Sequence, residues 1–192
     1  GLGANAIHNP AILLRSGVGG PAAGRYLHEQ LAREVFVDID APNYFGGSAI
    51  TAHGYHFYHG ADRAQAAAVL IENYNAPAAL RRDRGRWTER LRLKLIAEDL
   101  PQAEIRVMLE DGEPVIAWHG HHAYAAAGLD RALEGLADIL AFGIEATAPQ
   151  PLNRTEHHIQ GTPPGWGRTP AAASWMPGSG AMTRATSWSW AR

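Results

Sequence analysis

The fold is decided by residues 91–118, LRLKLIAEDLPQAEIRVMLEDGEPVIAW. Leucines alternate with polar residues over 91–95, as they do in a strand that buries one face. Residues 104–110 repeat the alternation, an Asp-Gly turn follows, and residues 114–118 make a further strand. The pattern predicts an antiparallel meander of three strands.

Helices are predicted on both sides of this region. Residues 61–75 are rich in alanine, with Asp62 early in the segment and Pro77 just beyond its end, which indicates a helix. Residues 123–141 predict the clearest helix, and Gly143 is a natural stop. Its apolar residues recur at spacings of four, three and four: Leu129, Leu133, Leu136 and Leu140.

The N-terminal third contains further candidate elements. Residues 35–39, VFVDI, read as a short strand, and residues 53–59 alternate aromatic and histidine residues, which favours an extended conformation. Residues 2–14 are apolar, and Pro10 stands where a helix can begin at its first turn. The glycine-rich residues 17–24, GVGGPAAG, do not form a dinucleotide fingerprint, because the third glycine is wrongly spaced and no βαβ unit follows.

Composition limits the function classes. The chain has 192 residues, 46% of them hydrophobic and 19% charged, which fits a globular protein with a real core. The net charge of −2 gives no reason to expect a nucleic-acid partner, and no apolar run is long enough to predict a membrane span. The chain has no cysteine, which excludes disulfides, thiolate catalysis and Cys-ligated zinc and leaves the compartment open.

Two histidine groups could suggest a metal site: His53, His56 and His59, and His119, His121 and His122. Zinc and iron sites need three or four convergent ligands. On a strand, a spacing of three sends successive side chains to opposite faces. Neither group has a recognised ligand spacing, so the sequence predicts no metal site. A His-rich metalloprotein stays an alternative that metal in the purified chain would reveal.

Residues 2–19, LGANAIHNPAILLRSGVG, resemble the second signature of the glucose-methanol-choline family of FAD-dependent oxidoreductases. In that signature an apolar strand ends at a small turn beside the flavin nucleotide, and a helix starts directly after it. Asn9 stands where the family has Ser or Thr. Residues 24–30, GRYLHEQ, are similar to the family's Gly-Arg-Asn-Leu-x-Asp-His stretch, with departures at Tyr26 and Gln30. Within residues 2–19, the positions that match the signature are Pro10, Ile12, Leu13, Ser16, Gly17, Val18 and Gly19.

Residues 156–162, EHHIQGT, are similar to the family's active-site block His-x-x-Gly-Thr. The resemblance implies that His158 is the catalytic base, which takes the hydroxyl proton of an alcohol while hydride passes to FAD. The substrate would be a small-molecule alcohol, sugar or polyol, and oxygen, a quinone or a cytochrome would accept the electrons. The implied cofactor-binding residues are Gly3, Ala4, Asn5, Pro10, Gly161 and Thr162.

The resemblance also implies a domain organisation of the α/β class. Residues 1–47 would be a remnant of the FAD-binding domain, and residues 48–160 a substrate domain with an antiparallel sheet and flanking helices. The chain begins at Gly1 without a methionine, which suggests a piece of a longer reading frame. The piece alone is expected to bind FAD poorly and to catalyse no turnover. The alternative is a non-catalytic binding or structural module that reuses the same scaffold.

Residues 161–192 differ from the rest of the chain. They contain no Asp or Glu, carry four of the six tryptophans, and show no helical or strand period, so we expect a disordered tail. The Met-Gly that follows Gly161-Thr162 in the family is missing. If the underlying DNA is translated two bases later, three short stretches resemble the family's sequence in this region. They are residues 165–167, 174–177 and 187–190. We therefore hypothesise a frameshift near residue 163, which would also remove the family's second catalytic residue.

Overall fold

A computed structural model describes residues 2–40, 50–74, 89–140, 144–149 and 154–155 of the chain. Its helices are α1 (Asn5–Arg15), α2 (Ala123–Glu134) and α3 (Leu136–Ile139), with a 3-10 helix at Ala61–Ala64. Its strands are β1 (Leu31–Ile39), β2 (Ile50–Phe57), β3 (Val69–Tyr74), β4 (Arg90–Ala97), β5 (Arg106–Glu110), β6 (Glu113–Ala117), β7 (Ile144–Pro149) and β8 (Arg154–Thr155).

The described residues fall into two compact units. The hairpin unit contains residues 2–28 and 100–120. The sheet unit contains the described parts of residues 29–99 and 121–158. The combination of helices with antiparallel sheets confirms the mixed fold class that the sequence predicts. None of the described helices is long and apolar enough to cross a lipid bilayer.

The sheet unit is built on six antiparallel strands in the order β2-β3-β4-β1-β7, with β8 also paired to β1. Central strand β1 pairs with β4 along one side, placing Val35 opposite Leu93. Along its other side, β7 pairs with the C-terminal half of β1 and β8 pairs with its first two residues. β1 is therefore hydrogen-bonded on both sides.

One face of this sheet packs against α2 and carries the main core. The strands contribute alternate apolar residues, among them Val35, Val69 and Leu95, whose side chains are fully buried. Leu129 and Leu136 face them from the helices, as the leucine spacing predicts, and Leu133 and Leu140 pack at the margin. Burying one face of alternating strands under an amphipathic helix is the ordinary solution for such a sequence.

The hairpin unit combines α1 with the two-stranded sheet β5-β6. A small core of Leu27, Ile105 and Val107 is buried against Ala6 and Ile7 of the helix. At the end of α1, Arg15 donates to the carbonyl oxygen of Gly112 at 2.7 Å and lies 3.2 Å from a carboxylate oxygen of Glu113. These contacts hold the helix to the hairpin turn.

The predicted helix over residues 61–75 is wrong. Only Ala61–Ala64 is helical, as one 3-10 turn, and the chain then enters strand β3 at Val69. The alanines suggested a helix, but the run Val69-Leu70-Ile71 fits a pleated surface, and strand pairing with β2 and β4 overrides the local preference.

The predicted meander is also wrong in its pairing. The strands over residues 90–97, 106–110 and 113–117 exist, and the last two form a hairpin. β4, however, pairs with β1 and β3 and lies in the other unit. Alternation reveals that a strand has a buried face, but it carries no information about which strand is its partner.

The N-terminal helix begins earlier than predicted. α1 starts at Asn5, so Pro10 lies inside the helix rather than in its first turn, and residues 2–4 form no strand. The expected remnant of an FAD-binding domain over residues 1–47 gains no support from these residues. Residues 2–28 belong to the hairpin unit, whereas β1 is a central strand of the sheet unit.

Candidate functional site

The predicted site residues fall into two groups. Gly3, Ala4, Asn5 and Pro10 lie at the start of α1 and along its first turns. His158, Gly161 and Thr162 lie outside the described residues. The predicted tail over residues 161–192 lies outside them as well.

Asparagine side chains cap the start of α1. Asn5 has a left-handed backbone with φ of 73°, and its Oδ1 accepts hydrogen bonds from the backbone N–H groups of Ile7 at 2.9 Å and His8 at 3.0 Å. Asn5 thereby performs the role of an N-cap. Asn9 Oδ1 accepts from the Ala4 N–H at 2.8 Å. The amides of Ala4, Ile7 and His8 are therefore engaged within the chain.

The geometry at the start of α1 decides whether this segment can contact the implied FAD. No atom lies within 4 Å of where a Cβ on Gly3 would stand, so a ligand can approach the backbone closely there. Pro10 is buried and offers no surface. The segment can therefore fit a flavin nucleotide by close packing at Gly3, but the three capped amides are not donors for its phosphates.

The sheet unit has a second, polar face opposite α2. We call polar face the charged and aromatic side chains that alternate with the core residues on four neighbouring strands. The apolar Ala32, Leu70 and Ile96 lie on the same side of the sheet in a row of their own. Opposed residues of antiparallel strands point to the same side, so these side chains lie together. The polar face consists of Glu34, Phe36, Asp38, His53, Glu72, Tyr74, Arg90, Arg92 and Lys94.

One row of the polar face crosses four strands. Glu34 on β1 is opposite Lys94 on β4, which is opposite Glu72 on β3, which is opposite His53 on β2. The His53 Nε2 lies 3.4 Å from Glu72 Oε1. Acidic and basic groups alternate along the row, so each charge has opposite charges as its neighbours.

Arginines dominate the rest of the polar face. Arg90 binds Asp38 through two hydrogen bonds of 2.5 and 2.9 Å, the bidentate geometry that a guanidinium favours. Arg92 donates to Glu34 at 2.9 Å, and its guanidinium carbon lies 5.5 Å from the centre of the Tyr74 ring. Arg92 thereby links Glu34 to the Tyr74 ring across the sheet.

Burial shifts the pKa values of two groups of the polar face. It lowers the pKa of Lys94, while the carboxylates of Glu72 and Glu34 oppose that change. Burial also raises the pKa of Tyr74, and Glu72 raises it further through its charge and through the hydrogen bond of 3.1 Å that the Tyr74 hydroxyl donates. Such a surface, with donors, acceptors and an aromatic ring in fixed positions, suits a ligand with many hydroxyl groups.

The sequence analysis missed the polar face, although its signal was present. The charged residues of strands β1 and β4 occupy the positions between the core residues, and we interpreted such positions only as the exposed side of a strand. The paired register of β1 and β4 places Asp38 opposite Arg90 and Glu34 opposite Lys94. That register cannot be derived from alternation alone.

A second polar cluster joins the end of β4 to the start of α2. The buried Asp99 carboxylate lies 2.9 Å from His121 Nδ1 and accepts from the backbone N–H of His122 at 3.1 Å. His122 in turn caps α2 by accepting from the Tyr124 N–H. Among the described residues, no group of three His, Asp or Glu side chains could hold a metal ion. These histidines organise the helix start.

Comparison with known proteins adds no family to these observations. No family model matches the chain, and no curated protein is significantly similar to it in sequence.

Proposed function

We propose that the chain is part of an FAD-dependent oxidoreductase of the glucose-methanol-choline type that oxidises an alcohol, sugar or polyol to a carbonyl. One observation carries the proposal: two separate segments resemble family signatures in the family's order. Residues 2–19 match at seven positions, and residues 156–162 supply the His-x-x-Gly-Thr block.

The sheet unit supports the same proposal. An antiparallel sheet with a helix on one face has the architecture that the resemblance implies for the substrate domain. The polar face presents fixed carboxylates, guanidinium groups and Tyr74. Such groups hydrogen-bond hydroxyls in both directions, which favours a sugar or polyol over a simple aliphatic alcohol.

The proposed chemistry assigns one step to the protein. His158 takes the proton of the substrate hydroxyl as the carbon–hydrogen bond breaks, because an imidazole with a pKa near neutrality accepts a proton at working pH. FAD, when bound, supplies the hydride acceptor. A quinone, a cytochrome or oxygen then receives the electrons.

His158→Ala tests the proposal, with the neighbouring His157→Ala as a matched control. Both are made in the complete reading frame that contains this chain, and anaerobic reduction of the flavin by a panel of sugars and polyols is followed by absorbance. We expect His158→Ala to retain flavin and to reduce it about 10²- to 10⁴-fold more slowly, the usual contribution of a general base.

His157→Ala is expected to stay within about threefold of the parent, well inside the range of an indirect effect. A purified protein that takes up no flavin from excess FAD would contradict the proposal, and so would equal effects of the two substitutions. In the second case the histidine assignment fails even though flavin is present.

A further inference from the structure

The hairpin unit contains a groove of about 510 Å³ and a smaller one of about 280 Å³ beside it. Both grooves are lined by the same two arginines, Arg25 and Arg106, and by Met108. The larger groove continues over the apolar side chains of Leu14 and Leu109. Two guanidinium groups therefore share one concave surface that also has an apolar wall.

The backbone brings these two arginines together. Residues 24–27 pair with β5: the Val107 N–H donates to the Gly24 carbonyl at 2.8 Å, and the Leu27 N–H donates to Ile105 at 2.9 Å. Gly24 has φ of 79°, and a Cβ there would lie 2.3 Å from the Val107 carbonyl oxygen. Only glycine allows this close approach, which sets Arg25 beside the strand that carries Arg106.

The charges of the two arginines are not neutralised by the described residues. Each of the other arginines with a described side chain forms an ion pair: Arg15 with Glu113, Arg33 with Asp130, Arg63 with Glu98, Arg90 with Asp38, Arg92 with Glu34 and Arg131 with Asp62. Arg25 and Arg106 form no such pair within the described part of the chain, although Glu104 lines the smaller groove.

Arg25 and Arg106 are half-buried cations that line the same groove, so an anion that enters it is attracted by both charges. Guanidinium groups bind the oxygens of carboxylates and phosphates in a bidentate manner, and they are the residues used for such recognition. We propose that the Arg25–Arg106 groove binds the oxyanion group, phosphate or carboxylate, of a small organic molecule whose apolar part lies against Leu14 and Leu109. The proposal does not rest on the proposed flavin chemistry.

The first test measures binding of phenyl phosphate, benzoate and the neutral benzyl alcohol by isothermal titration calorimetry. Phenyl phosphate tests the phosphate arm and benzoate the carboxylate arm. We expect one or both anions to bind and benzyl alcohol to bind at least tenfold more weakly. Arg25→Gln and Arg106→Gln should each weaken the anion about tenfold, the usual effect of losing one charge-assisted hydrogen bond, and the double variant should abolish binding.

Arg15→Gln is the matched control, because it removes an arginine of the same unit that is paired outside the groove. It should change the affinity less than about twofold, since its exposed charge is screened by salt. The proposal is overturned if benzyl alcohol binds as tightly as the anions, or if Arg15→Gln weakens binding as much as the groove variants do. Circular dichroism verifies that each variant is folded.

A second measurement needs no substitution. A dicarbonyl reagent specific for guanidinium groups is applied to the unaltered chain, and the modified arginines are located by mass spectrometry. Phenyl phosphate and benzoate are tested separately, and at least one of them should protect Arg25 and Arg106 and leave the modification of Arg15 unchanged. Uniform protection, or none at saturating anion, would overturn the proposal even if the variants were to misfold.

Discussion

At Gly128, helix α2 lies close to Ala67, which precedes strand β3. A Cβ on Gly128 would lie 2.6 Å from the Ala67 Cβ and 2.8 Å from the Ala67 carbonyl oxygen. Alanine raises helix propensity by about 1 kcal/mol, but this clash involves backbone that cannot move aside. We expect Gly128→Ala to lower the free energy of unfolding by about 1–3 kcal/mol, measured by urea denaturation.

The control for this substitution is Gly3→Ala, because no atom lies within 4 Å of a Cβ at that position. It should leave the free energy of unfolding within about 0.5 kcal/mol of the parent, as exposed substitutions usually do. Equal stability of Gly128→Ala and the parent would show that α2 is not seated as closely as the structure has it.

Single residues also show what could be predicted about the site. The sequence alone placed a helix start at Pro10, and it did not predict that the helix begins at Asn5 or that the Asn5 side chain caps it. Capping depends on the φ of Asn5, which the sequence does not specify. Arg25 and Arg106 were invisible to sequence reasoning, because 81 positions separate them.

At the scale of elements, Tyr124 fastens α2 to the 3-10 helix and to the end of β4. Its hydroxyl accepts from the Arg63 guanidinium and lies 3.1 Å from Glu98 Oε1. Tyr124→Phe removes these bonds and leaves Arg63 and Glu98 paired with each other at 2.5 Å. We expect it to lower the free energy of unfolding by about 1–2 kcal/mol at neutral pH.

The same tyrosine should make stability depend on alkaline pH. Burial, followed by the charge of Glu98, raises the pKa of Tyr124 above its ordinary value of 10.0. The unfolded chain therefore releases this proton first, so stability present below pH 10.0 is lost as the pH rises beyond it. Urea denaturation over this range should show a shallower decline for Tyr124→Phe than for the parent. The exposed Tyr55→Phe should follow the parent, and a parallel decline of all three would contradict the assignment.

Elements also mark where sequence reasoning succeeds and fails. The leucine spacing predicted α2 and its buried face because that helix packs with an ordinary helical period. It did not predict that α2 ends at Glu134 and that Gly135 separates it from the short α3, so the single helix expected over residues 123–141 is too long. The helix that alanines suggested at residue 61 gave way to β3, since neighbouring strands decide the conformation of a short apolar segment. The pairing of β4 with β1 joins residues far apart in sequence, which no local pattern encodes.

At the scale of the whole molecule, the two units have cores of very different size. Leu95 belongs to the large core of the sheet unit, whereas Leu27 belongs to the small core of the hairpin unit. We expect Leu95→Ala to lower the free energy of unfolding by about 2–5 kcal/mol and to accelerate hydrogen exchange in β1, β3 and β4. Leu27→Ala should accelerate exchange chiefly in β5 and β6.

Hydrogen exchange read by mass spectrometry separates these outcomes. In the parent, the slowest amides should lie in β1, β3 and β4, because each of these strands is hydrogen-bonded on both sides. The two-stranded sheet β5-β6 should exchange faster, since an isolated hairpin is marginally stable. If both substitutions accelerated all amides equally, the two units would unfold as one.

The Asp99 carboxylate affects how much the length of residues 100–120 can change without disturbing the sheet unit. The chain leaves the sheet unit after Asp99 and returns to it at His121. The Asp99 side chain binds both the His121 ring and the backbone amide of His122. The exit and the re-entry are thus tied together from within the sheet unit, whatever the intervening 21 residues do. The sheet unit therefore tolerates a longer or shorter excursion as long as the aspartate and the two histidines stay in place, whereas the excursion itself must keep its pairing with residues 24–27.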